Sequence, residues 1–114
     1  MSDFLDPPAI GEGPLGDLAA GLERATDQYA SACNRAAVAE NAYLRAFHLA
    51  WVASDGVAQT VKSKWCDNQA DVVEARCDHN LAIASEKAAR AKCDELKNRL
   101  MACMSWQRTV GAQT

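Results

Sequence analysis

Ser54-Asp55-Gly56 lies between two long segments that favour α-helix, and it decides how this chain of 114 residues folds. Residues 17–53 contain no proline and a single glycine, Gly21, and residues 57–109 contain neither proline nor glycine. A glycine just after a helix supplies the left-handed backbone that ends the last turn, and serine or aspartate can cap the next helix. The sequence therefore predicts an all-α, antiparallel, coiled-coil-like helical hairpin with its turn at residues 54–56.

Both segments have apolar periodicity, and the first is the more regular. Its small or apolar residues recur in alternating steps of four and three, as in a helix packed along one partner. This stripe consists of Leu18, Leu22, Ala25, Tyr29, Ala32, Ala36, Ala39, Tyr43, Ala46 and Ala50. The apolar positions of the second segment drift in spacing. They are Val61, Trp65, Val73, Cys77, Leu81, Ala84, Ala88, Leu96, Leu100, Cys103 and Trp106.

The predicted hairpin covers residues 17–109, and the segments at the two ends of the chain are predicted to be non-helical. Residues 1–16 hold all three prolines and three of the six glycines, which predicts an extended N-terminal arm. Residues 110–114 are predicted to form a disordered tail. β-Branched residues between 57 and 61 suggest that the second helix starts a turn late, and a reversal nearer Thr60 would shorten the overhang described next.

The two predicted helices differ in length, at roughly 55 Å and roughly 80 Å for a rise of 1.5 Å per residue. Counted from Gly56, Leu18 falls opposite Cys93, and residues 94–109 overhang. An exposed apolar surface of this kind needs a cover. We expect both the N-terminal arm (through Phe4, Leu5, Ile10 and Leu15) and a second copy to supply it, giving a dimer or higher oligomer. The predicted oligomer or partner interface is Leu96, Leu100, Met101, Met104 and Trp106.

Composition limits the classes of protein that remain. Twelve Lys and Arg residues stand against fifteen Asp and Glu, which excludes a strongly basic nucleic-acid coat and an acidic disordered tail. The most apolar stretch, residues 43–53, is too short to span a bilayer. The first 14 residues lack the pattern of a secretory signal, and five cysteines without such a signal point to the reducing cytoplasm.

Four large side chains flank the turn: Phe47, Trp51, Val61 and Trp65. They meet in an antiparallel hairpin, either as an aromatic patch for a partner or as the hydrophobic cluster that closes the hairpin. The second interpretation is favoured, because alanine-rich helices need such a cluster.

No catalytic, cofactor or metal site is predicted. His48 has no acidic or cysteine neighbour on its helix face, and Cys77 and His79 point to different sides of a helix. The sequence has no Cys-x-x-Cys, and its apolar cysteine positions suit buried thiols better than zinc ligands. No set of nucleophile, base and orienting group is evident, so the protein is predicted not to be an enzyme.

Charged side chains offer two further candidate surfaces. An acidic set follows helical steps of four, three and four, and it is interpreted as a solvated face, an electrostatic docking strip or, less favoured, a divalent-cation site. It comprises Asp67, Asp71, Glu74 and Asp78. A basic set in the last third of the second helix either complements the helix dipole or contacts phosphate, with Trp106 stacking on a base. It comprises Lys87, Arg90, Lys92, Lys97, Arg99 and Arg108.

Three runs of sequence carry a resemblance: Ala42-Tyr43-Leu44-Arg45-Ala46, residues 88–100 and Ser105-Trp106-Gln107. Together they resemble small bacteriophage-encoded helical-hairpin proteins, which are often encoded near phage recombination or single-strand-binding genes. The resemblance spans residues 20–108. It implies a setting in the host-cell cytoplasm and transfers no active-site residue.

We therefore expect a non-enzymatic accessory protein that binds another protein. The expected target is nucleic-acid-processing machinery, either a recombination apparatus or a host defence nuclease that the protein inhibits in the manner of an anti-CRISPR. Direct nucleic-acid binding through residues 87–108 is one alternative. A structural or scaffold subunit of a virion is another.

Overall fold

The structure, a computed structural model, describes residues 13–113 and consists of helices. Helix α1 is Pro14–Ala53, α2 is Lys62–Asp67 and α3 is Ala70–Gln113. No strand occurs within the described range. The predicted all-α fold with two long helices packed on each other is confirmed, although a short third helix stands between them.

The described residues divide into two compact units, residues 31–87 and residues 13–30 with 88–113. In the first unit the Tyr43 ring of α1 stacks on the His79 ring of α3, with centroids 6.0 Å apart. Ala50, later in α1, packs with Val72, earlier in α3, so the helices run antiparallel. In the second unit, the α1 residues 17–28 and the α3 residues 92–96 line one groove.

The apolar stripe predicted for α1 is confirmed at every position. Ala25, Ala32, Ala36 and Ala50 are buried. The other six are half-buried: Leu18, Leu22, Tyr29, Ala39, Tyr43 and Ala46. Because most stripe residues are alanine, the core is thin. Each alanine removes little apolar area from water, so the few large side chains carry much of the burial.

The chain turns at residues 54–56, directly after α1, and the geometry of this turn follows from the residue types. The buried Ser54 hydroxyl donates a hydrogen bond to the carbonyl oxygen of Trp51 at 2.5 Å. The Val57 amide donates to the carbonyl of Ser54 at 2.9 Å. Gly56 has a φ of +91°, which lies in the left-handed region that favours glycine.

The connection is longer than this turn, and the prediction of one continuous second helix is wrong. α2 starts only at Lys62, and Asn68 and Gln69 separate it from α3. Cys66 and Val72 lie on either side of this break, and both are fully buried. In an uninterrupted helix, residues six apart point about 120° away from each other. The break lets both side chains pack against the same part of α1.

Two side chains stabilise the break. The side-chain amide of Gln69 donates a hydrogen bond to the carbonyl oxygen of Trp65, which lies in the last turn of α2, at 3.0 Å. Arg76, in the second turn of α3, lies 3.8 Å from the Asp67 carboxylate and donates to the Asp67 carbonyl oxygen at 3.4 Å. These contacts add to the backbone hydrogen bond that the Asn68 amide donates to the Trp65 carbonyl oxygen at 3.2 Å.

Between Cys77 and Ala88 the buried face of α3 differs from the predicted one, because the predicted positions drift around an unbroken helix in successive steps of four. Four residues that were predicted to lie in the helix contact are exposed: Cys77, Leu81, Ala84 and Ala88. The residues that face α1 at these levels are half-buried and include His79, Ile83, Glu86 and Ala89. From Cys93 onward the prediction and the structure agree, since Leu96, Leu100 and Cys103 are half-buried.

Both outer boundaries of the hairpin differ from the predicted ones. α1 begins at Pro14, within the predicted arm, because proline suits the first helical position, where its missing N–H costs nothing. α3 continues to Gln113, through most of the predicted tail. The arm residues Phe4, Leu5 and Ile10 lie outside the described residues. No helix within residues 13–113 is long and apolar enough to cross a membrane.

Candidate protein-interaction site

The last part of α3 extends past the start of α1. Leu18 and Leu96 line the same groove, and α1 begins four residues before Leu18. Because the helices are antiparallel, α3 residues beyond about Leu100 have no α1 residue beside them. This part of α3 is about 20 Å long at 1.5 Å per residue. We refer to residues 96–110 as the terminal segment.

The terminal segment presents a broad apolar surface. Leu96 and Leu100 are half-buried, whereas the Met101 side chain is 60% exposed and Trp106 is 66% exposed. Met104 and Val110 are also exposed. At 100° per residue, the methionines lie on one side of the Leu96–Leu100 line, and Trp106 with Val110 lies on the other. The apolar surface therefore covers more than half of the helix circumference.

Cations lie among these apolar side chains in two rows along α3. Arg90, Lys97 and Arg108 share one face of α3, and Lys92 and Arg99 share another, seven residues apart. The five side chains are exposed. Arg99 lies 3.5 Å from Glu95, but both side chains are about 60% exposed, so solvent weakens the pair. The predicted basic set thus forms two rows, with Lys87 outside them in the unit of residues 31–87.

The predicted acidic stripe is shorter than expected. Asp71, Glu74 and Asp78 are exposed on one face of α3, but Asp67 belongs to α2 and pairs with Arg76. The break at residues 68–69 takes Asp67 out of line with the other three. Within residues 13–113, no group of three His, Cys, Asp or Glu side chains is placed to hold a metal ion.

The large side chains near the turn form a hydrophobic cluster. Phe47, Trp51 and Trp65 pack against the buried residues Ala50, Cys66 and Val72. The Phe47 and Trp51 rings stack with centroids 6.1 Å apart, and the Lys62 ammonium lies 4.6 Å from the Trp51 ring centroid. Val61 is exposed and does not join them. This packing favours the hydrophobic-cluster interpretation over the aromatic patch.

Sequence reasoning missed an apolar groove of about 530 Å³ on the unit of residues 31–87. One wall belongs to α1 and includes Ala42, Arg45 and Leu49, and the other includes Trp65 and Asp71. A sequence signal for the α1 wall existed. Apolar residues recur at heptad spacing on a second face of α1, beside the stripe that was identified.

Three hydroxyl side chains form hydrogen bonds with the backbone. The hydroxyl groups of Thr26, Ser54 and Thr109 each donate to a backbone carbonyl within their own turn of the chain. The histidines are an exposed side chain at position 48 and a ring at position 79 that stacks on Tyr43. No protein-family model, curated protein or solved structure matches the chain.

Proposed function

We propose that the protein is a non-enzymatic binding module that docks on another protein through the terminal segment of α3. The observation that carries this proposal is the exposed Trp106 within an apolar surface that two rows of exposed cations interrupt. Tryptophan and arginine are enriched among the residues that dominate binding energy at protein interfaces. A helix of this kind is recognised by an apolar groove.

The chemistry of the partner follows from the two cationic rows. A groove that receives the terminal segment is largely apolar and carries carboxylates on its floor or rims at the points that face Lys97 and Arg99. Such charge complementarity speeds association and selects against partners with basic rims.

We propose nucleic-acid-processing machinery in the cytoplasm as the target, either a recombination apparatus or a host defence nuclease. The support for this choice is the resemblance of residues 20–108 to phage-encoded hairpin proteins. Inhibition of a nuclease needs only occupation of a functional surface, so it requires no catalytic residue in the inhibitor.

Affinity capture with mass spectrometry tests the docking surface. The full chain is compared with Trp106→Ala and with Leu81→Ala, a control on the same helix whose side chain is 68% exposed. Loss of an interface anchor costs about 2 kcal/mol, so Trp106→Ala should weaken binding of the captured partner roughly 30-fold. Leu81→Ala should bind as the wild type does. Repeated failure to capture any partner, or equal capture by Trp106→Ala, contradicts the proposal.

Direct nucleic-acid binding is the second candidate, and the two rows of exposed cations favour it. Binding to a single-stranded oligonucleotide should weaken steeply with added salt, because each phosphate contact releases counterions. Reversal of charge at Arg90, Lys97 and Arg99 should abolish it, whereas Arg35→Glu, an exposed site on α1, should not. A mobility-shift assay that shows no complex at low salt excludes this function.

A further inference from the structure

A second, largely apolar stripe of exposed residues runs along α1 beside the groove of about 530 Å³. Its residues recur in steps of four and three, and all are exposed: Val38, Ala42, Arg45, Leu49 and Val52. The stripe lies roughly 130° around the helix from the buried one, at 100° per residue. A continuous exposed stripe with heptad spacing is the pattern of a helix that packs along another helix.

The groove beside this stripe has the dimensions and lining for such a helix. It holds about 530 Å³, enough for several aliphatic side chains, and it is lined mainly by alanines of α1 together with Trp65 and Val72. Leu49 stands on its α1 wall and is 61% exposed. An apolar groove next to an apolar stripe can receive one helix while the stripe itself enters a matching groove.

Two opposite charges face this groove from its two walls. Arg45 lies on the α1 wall and Asp71 on the wall formed by the start of α3. Among the described residues 13–113, neither makes an ion pair. The groove therefore offers one cation and one carboxylate to whatever occupies it.

From these observations we infer that the groove binds the outer stripe of a second copy of this chain, in a two-fold symmetric dimer. A two-fold interface requires a surface that complements itself. With the symmetry axis at Arg45, Val38 of one copy meets Val52 of the other. Ala42 meets Leu49, so that a large side chain fills the space above a small one.

The charges complete the self-complementarity. Arg45 of each copy enters the groove of the other copy, where Asp71 lies on the wall. Two Arg45–Asp71 pairs then form across the axis and offset the approach of the two arginines. The stripe and the groove of this chain match each other in apolar pairing, side-chain size and charge. A groove that binds an unrelated helix needs no such match to its own stripe, and for this reason we take a second copy as the occupant.

This dimer surface belongs to the unit of residues 31–87, whereas the terminal segment belongs to the other unit. The inference is thus independent of the proposed docking function, and it moves self-association away from the predicted interface at Leu96 to Trp106.

Sedimentation velocity of the full chain, without any partner, tests the dimer. We expect a concentration-dependent dimer at high micromolar concentration for the wild type. Leu49→Glu should raise the dimer dissociation constant at least about tenfold, because it places a charge in an apolar contact. The matched control is Leu44→Glu, which replaces a leucine on the same helix that is 55% exposed on a different face and should leave the dimer intact.

A charge swap tests the pairing itself. Arg45→Asp and Asp71→Arg should each weaken the dimer, and the double variant should restore it. The inference is overturned if the wild type is monomeric throughout, if Leu49→Glu and Leu44→Glu behave alike, or if the double variant is no better than the single ones. It is also overturned if Trp106→Glu abolishes the dimer while Leu49→Glu does not. Circular dichroism confirms that each variant retains its helices.

Discussion

Glycine occurs at two positions in the hairpin where its effects on stability are opposite. Gly56 holds a φ of +91° in the turn, and a Cβ atom placed there would meet no atom within 4 Å. The constraint at this position is therefore the backbone conformation, not space. Gly21 lies inside α1, and the nearest atom to an added Cβ is the Arg24 guanidinium at 3.9 Å. At position 21 the glycine lowers stability, because it adds conformational freedom to the unfolded chain and the helix has room for a side chain.

We predict that Gly56→Ala and Gly21→Ala change stability in opposite directions. Gly56→Ala should lower the free energy of unfolding by about 1 kcal/mol, since a residue with a side chain strains to adopt this φ. Gly21→Ala should raise it by up to about 1 kcal/mol through helix propensity. Urea denaturation followed by circular dichroism measures both. Equal losses would show that Gly21 is needed for packing and would contradict the structure.

The buried faces of the two long helices were predictable from the sequence to different degrees. The stripe of α1 was predictable at every position because it follows one uninterrupted heptad pattern. In α3 the predicted stripe leaves the buried face between Val73 and Ala88, because its successive steps of four drift around an unbroken helix. The break before α3, at Asn68 and Gln69, was not predicted either. Neither residue is a glycine or proline, so no local signal marks this break. It arises from the joint burial of Cys66 and Val72, which is a property of the tertiary structure.

This phase error can be tested with two substitutions on α3. Leu81 was predicted to face α1 but is exposed, whereas Ile83 is half-buried and lines a groove with Cys33 and Ala36 of α1. Ile83→Glu should destabilise the fold by about 2 kcal/mol, since it removes apolar burial and introduces a charge at the helix contact. Leu81→Glu should change stability by less than about 0.5 kcal/mol. Thermal melts compare the two, and a larger loss for Leu81→Glu would favour the original stripe.

Within each unit of the molecule, charge favours the antiparallel arrangement. In the unit of residues 13–30 and 88–113, α1 carries three carboxylates and one cation, and α3 carries five cations and two carboxylates. In the unit of residues 31–87 the balance is reversed, with α1 net basic and α3 net acidic. Parallel packing would bring like charges together, so the charge pattern supports the direction that the turn imposes.

The candidate sites were predictable to different degrees for physical reasons. Helix lengths counted from Gly56 were enough to identify the overhanging end of α3, since rise per residue is nearly constant. The groove beside Leu49 was not predictable, because its second wall depends on where α2 ends and α3 begins. The outer stripe of α1 did have a periodic signal, but the stronger buried stripe on the same helix concealed it.

The five cysteine thiols of this chain differ in exposure, so their reactivity can report local opening of the structure. Cys66 is fully buried beneath the aromatic cluster, whereas Cys77 is exposed. A thiol reagent should modify Cys77 at once and Cys66 only when the cluster opens, so the labelling rate of Cys66 reports the frequency of that opening. Substitution of Cys77 by serine removes the fast reaction. If Cys66 still reacts as fast as an exposed thiol, the turn end of the hairpin is open in solution far more often than its packing implies.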